Sequence, residues 1–196
     1  LWGSIHQPVA GFHLLSLTFR ECSALLDACG SLNKPEVGLS ALIGDRTAFH
    51  EATSLLTTYQ EEMLRALEYL VNRLGSVRER QNLRVLDGGD GVRPALVGEA
   101  VSLLIESGLV RMDKPIVIFS KTPTGEIKVS ARSTPALAMS GLDLGAAIKA
   151  AAERAGGVGG GHDVAAAARI PPSEIEEFLS LLDKSLEGSH EVSAAD

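Results

Sequence analysis

The chain has 196 residues, 45% of them hydrophobic and 22% charged, a balance suited to a globular protein of one large domain or two small ones. No apolar run approaches the ~20 residues of a membrane span, and a net charge of −7 excludes a broadly basic surface that coats nucleic acid. Any anionic ligand must therefore be gripped locally, by a few side chains and backbone N–H groups. The first residue is Leu1 rather than Met, and no signal peptide is legible, so a piece of a longer chain is expected.

In chain order, the first 80 residues read as helical. Thr18 and Glu21 have capping-box spacing, and Phe19, Cys22, Leu26 and Cys29 follow at helical spacing up to Gly30. Cys22 and Cys29 lie seven residues apart on that stripe, which separates their Cα atoms by about 10 Å, too far for a disulfide. Both read as buried thiols, consistent with a reducing, cytoplasmic setting. SLNKPEVG (31–38) reads as a turn-rich link. A long amphipathic helix follows over 46–74, with Ala52, Leu55, Tyr59, Met63 and Leu70 along one side and Gly75 at its end. VRERQ (77–81) reads as a charged, exposed connector.

From there the period changes. LRVLD (83–87) predicts a short strand, DGGDGV a loop, and 94–107 a helix closed by Gly108. PIVIFS (115–120) predicts a buried strand, TPTG a turn, and EIKVSARS (126–133) an alternating strand. A helix is expected at 142–155. ERAGGVGGGHD then places five glycines in six positions before a histidine, and HDVAAAARI (162–170) predicts a last strand. Ser173 with Glu176 has the spacing of a second capping box opening a final helix, and a polar tail from Gly188 is expected to be disordered. The fold class expected is α/β: a small mixed β-sheet flanked by helices over 81–187, preceded by a helical connector segment over 1–80.

Two stretches could carry chemistry. On the strand EIKVSARS, alternation places Ile127, Val129 and Ala131 on one face and Lys128, Ser130 and Arg132 on the other. Two cations and a hydroxyl suit a phosphate, although a solvated strand face would look the same. Gly159, Gly160 and Gly161 could turn successive N–H groups into an anion-binding nest with His162 beside it; the alternative is a plain connection. Neither a Walker A loop nor a dinucleotide fingerprint is present. The DGGDG loop (87–91) lacks the remaining ligands of a calcium loop and reads as a turn, and no other histidine stands at metal-ligand spacing.

Taken together, these residues resemble the DHH-associated (DHHA1) domain, the C-terminal half of DHH-family phosphoesterases such as the RecJ-like exonucleases. GGGHDVAAAARIP (159–171) looks like that family's GGGHxxAAGA signature, KVSARS (128–133) like its Ser-x-Arg-Ser strand, and PALVGEAVSLLI (94–105) like the helix before its central strands. The stretch 19–45 is similar to the connecting region of archaeal RecJ-like proteins, including one that associates with GINS at the replication fork. The resemblance implies a protein of DNA replication or repair that holds single-stranded nucleic acid. The phosphate would be bound by Ser130, Arg132, Gly159, Gly160, Gly161 and His162, with His162 also assisting catalysis. Mn2+ or Mg2+ is expected only in a separate DHH domain. No DHH triplet occurs here, so hydrolysis by this chain alone is not expected, and Ala167 stands where the family signature has glycine. Two alternatives stay open: a non-catalytic scaffold that binds GINS, and the second half of a phosphodiesterase for short oligonucleotides or cyclic dinucleotides.

Overall fold

In a computed structural model, residues 17–187 are described, and they fall into two compact units that divide between Leu64 and Arg65. The first holds α1 (Phe19–Ser31), α2 (Pro35–Leu42) and most of α3 (Arg46–Asn72). Thr18 caps α1 as its spacing predicts: its hydroxyl accepts from the Glu21 N–H, and the Glu21 carboxylate accepts from the Thr18 N–H. Leu25, Cys29, Val37, Ala41 and Ala52 form this unit's core. Gly38 brings α2 close to α1, since a Cβ there would lie 3.1 Å from that of Cys29. Both cysteines are free and buried, and burial pushes both thiols up, but Phe19 is exposed rather than on the inner stripe. α2 itself replaces the expected link: Pro35 stands at its first turn, where a missing N–H costs nothing and φ is already helical.

The second unit is built on one six-stranded mixed sheet of order β1-β2-β3-β4-β6-β5. Its strands are β1 (Arg78–Glu79), β2 (Arg84–Asp87), β3 (Ile116–Lys121), β4 (Ile127–Arg132), β5 (Val158–Gly161) and β6 (Ala165–Ile170). β2 and β3 run parallel, joined by the crossover helix α4 (Val97–Glu106), while the other neighbours are antiparallel. The Thr122–Gly125 turn closes the β3–β4 hairpin, with Gly125 at φ 87°, a conformation side chains resist. α5 (Pro135–Met139) and α6 (Leu144–Arg154) then carry the chain to the sheet edge, and α7 (Ile175–Ser185) follows β6. α5 was not expected from sequence; Thr134 caps it and Pro135 opens it.

The core lies on the face carrying Val117, Val129, Ala131, Ala166 and Ala168, where α6 and α7 contribute Ile148, Ala152, Phe178 and Leu182. α4 packs on β3 and β4. Two sequence expectations are corrected here. The 77–81 connector contains β1, paired with β2. The second capping box does not form: the Ser173 hydroxyl bonds Glu174 instead. Glu176 pairs with Arg78 and Arg80, so two guanidiniums outcompete a cap. No helix among the described residues is long and apolar enough to cross a membrane.

Candidate phosphate-binding face

Strand alternation and register build the site. β4 pairs with β6 so that Ser130 faces Ala167, Arg132 faces Ala165 and Lys128 faces Arg169. β5 pairs with β6 so that Gly160 also faces Ala167. Directly opposite residues share a face, so Lys128, Ser130, Arg132, Ala165, Ala167 and Gly160 lie together, on the side away from α6. The start of α4 forms the opposite wall with Ala95, Gly98 and Glu99, and the depression between them measures about 390 Å3.

Both cations are held in place by neutral oxygens. Lys128 Nζ donates to the Pro94 carbonyl at 2.5 Å. Arg132 Nε donates to the Ser102 hydroxyl at 3.1 Å, and Nη1 to the Ala131 carbonyl at 2.9 Å. Gly98 makes room for that guanidinium, because a Cβ there would come within 2.6 Å of Nη2. Burial pushes the Lys128 ammonium below its ordinary range, and the charges of Arg169 and Arg132 push the same way. Burial alone lowers Arg132. Both shifts record positive charge held in low dielectric, which an arriving anion relieves.

The glycine run forms an edge strand, and its members separate. Gly160 has open space above it and Gly161 lines the depression. Gly159 faces the core, where a Cβ would stand 2.9 Å from Ala168 Cβ and 3.0 Å from Ala152 Cβ. The His162 N–H bonds the Ala165 carbonyl, so ladder alternation directs the Gly160 N–H into the sheet and those of Gly159 and Gly161 outward. The three amides do not converge on one point. His162 is exposed in the β5–β6 turn, one residue beyond Gly161, and is not among the residues lining the depression. The methyl of Ala167 lies on the floor of the depression. Pro94 and Gly98 could not be found from local sequence, because only the crossover returns α4 to β4.

The DGGDG loop is a turn: Asp87 accepts from the Gly89 N–H at 2.8 Å, and Gly91 fits beneath the Tyr69 ring. Among the described residues no three His, Cys, Asp or Glu side chains gather to hold a metal ion.

A Methanocaldococcus jannaschii protein described as uncharacterized is 30% identical over 165 residues, which is 83% of this chain and 34% of that one. The crystal structure of RecJ with Mg2+ from Thermus thermophilus superposes with a TM-score of 0.63 at 19% identity, over 85% of this chain and 25% of that one. An exonuclease RecJ bound to manganese gives 0.63 at 17% identity, over 88% and 42%. The chain thus spans about a third of the M. jannaschii protein and a quarter of the T. thermophilus one, and its sheet and helices share the RecJ fold. The DHHA1 domain family matches residues 69–188, and to that family the chain belongs.

Proposed function

We propose that this domain holds a phosphate of single-stranded nucleic acid in the depression between α4 and β4–β6–β5, as the strand-gripping half of a RecJ-like phosphoesterase. The observation that carries this reading is the pair Lys128 and Arg132, bonded to neutral oxygens and displaced in pKa by burial, beside an open, side-chain-poor floor. Ser130 stands between them and supplies a hydroxyl. On this proposal the outward N–H of Gly161 and the exposed His162 meet the strand at the rim. In this reading the bond-breaking chemistry belongs to a metal-holding domain outside this chain, and His162 assists from its turn.

The test is fluorescence anisotropy with a short labelled oligodeoxythymidylate at low salt. Arg132→Ala should weaken binding roughly tenfold or more, the scale of one hydrogen bond to a charged group, with an unchanged circular dichroism spectrum. His162→Ala should weaken it less. Wild-type protein that binds no oligonucleotide, or an Arg132→Ala variant that binds equally well, overturns the proposal.

A further inference from the structure

Lys128 and Arg132 are not the only cations on this sheet face. Arg169 sits directly across from Lys128 on β6 and is exposed. Its charge is felt at Lys128. Among the described residues no hydrogen bond or ion pair holds its guanidinium. Arg169 also lines a second depression, of about 380 Å3, with Val158, Gly156, Thr124, Glu126 and Pro171. Alternation places Val158, Glu126 and Pro171 on the same side of the sheet as Lys128 and Gly160. The two depressions therefore follow one another along β4–β6–β5, the first lined by Lys128 and the second by Arg169 directly across from it.

The spacing limits what can lie there. Arg132 and Lys128 are four residues apart on β4, which is about 13 Å of strand, and Arg169 lies at the Lys128 end. A phosphate seated between Lys128 and Arg132 leaves Arg169, on the far side of Lys128, available to meet a second one. Beyond Arg169 the surface changes character: Val158, 68% exposed, offers an apolar ledge. Glu126, which accepts from the Thr124 hydroxyl, puts a negative charge at the far rim. A phosphate is disfavoured beside Glu126, whereas a sugar or base is not.

Resting on the reading above, we propose that Arg169 is a second phosphate contact and that the Val158–Pro171 depression receives the nucleoside beyond it. The ligand is then a strand with at least two phosphates rather than a mononucleotide. The experiment compares 5′-phosphorylated thymidine with 5′-phosphorylated pentathymidylate by calorimetry, using the full chain and the variants Arg169→Ala, Arg169→Lys and Arg132→Ala. Arg169→Ala should weaken the pentamer about tenfold and leave the mononucleotide within about twofold, and Arg169→Lys should restore part of the loss, since a charge contact is kept. Arg132→Ala should weaken both ligands. Equal wild-type affinity for the two lengths, or an Arg169→Ala variant that keeps pentamer affinity, overturns the second contact while leaving the first intact. Absence of any wild-type binding overturns both readings together.

Discussion

Gly159 and Gly160 are adjacent, yet each is glycine for a different reason. Gly159 lies under α6, where a Cβ would press on Ala152 and Ala168; Gly160 faces open space in the depression. Gly159→Ala should destabilise by roughly 1–3 kcal/mol, as overpacking does, and lower Tm by several degrees at this chain length. Gly160→Ala should leave Tm within about 2 °C, because a surface change away from special contacts is worth at most a few tenths of a kcal/mol. Paired thermal melts check both. Lys128 makes the complementary case. Its folded pKa is lowered, so between that value and the ordinary one the unfolded chain binds the extra proton, and stability rises with pH through that window. At neutral pH its charge is thus a cost to the fold. Lys128→Met should melt no lower than wild type at pH 7 while losing about tenfold in oligonucleotide affinity, the pattern of a side chain kept for binding. Wild-type affinity should fall as alkaline pH neutralises Lys128, ahead of the ordinary lysine range.

At the scale of elements, most of what periodicity could reveal was legible. α1, α3, β2, β3, β4, α6 and β6 stand where spacing and alternation put them. What failed depended on partners. β1 has two residues and exists only because β2 lies beside it. β5 is three glycines and a valine, a composition that argues against a strand, and it is ordered by pairing with β6 under α6. The Glu176 cap was lost to Arg78 and Arg80, residues almost a hundred positions away. Another long-range charge cluster ties the β1–β2 edge to the loop before β3. Arg84 is buried, and its guanidinium donates to Glu79 at 2.5 Å and to Asp113 at 2.6 Å. The Asp113 carboxyl is held at about 2 by that hydrogen bond, against an ordinary 3.8. Its contribution is therefore full above the ordinary value and is lost as pH falls through the folded one. Asp113→Asn should cost about 1 kcal/mol at pH 7, near the low end for a charge-assisted bond because the carboxylate is half exposed. It should also flatten the fall in Tm between pH 4 and pH 2; an equally steep acid limb in the variant would show that the pair does not matter.

For the molecule as a whole, the candidate site was only half legible. Ser130 and Arg132 follow from two-residue alternation along one strand, and so does Lys128 beside them. Arg169, Gly98 and the Pro94 carbonyl join them only through register and crossover, which local sequence does not encode. The same contrast between local and global governs binding strength. The chain carries a net charge of −7, so it lacks the long-range attraction by which a basic protein collects nucleic acid. On the proposed reading, its affinity for a strand comes from contacts made on the β4–β6 face itself. Each phosphate neutralised on a single strand contributes about −0.7 to the slope of log K against log salt. Two or three cations facing the strand therefore predict a slope of about −1.5 to −2, shallow beside a protein that coats its ligand. Removing Arg169 should bring the pentathymidylate slope about 0.7 closer to zero, and removing Arg132 should do the same independently. Titrations between 20 and 200 mM salt (on the order of one decade, where the linear relation holds) measure this directly. A wild-type slope steeper than about −3 would mean that nearly every phosphate of the pentamer is held, more than this face can meet, and would move the binding surface elsewhere.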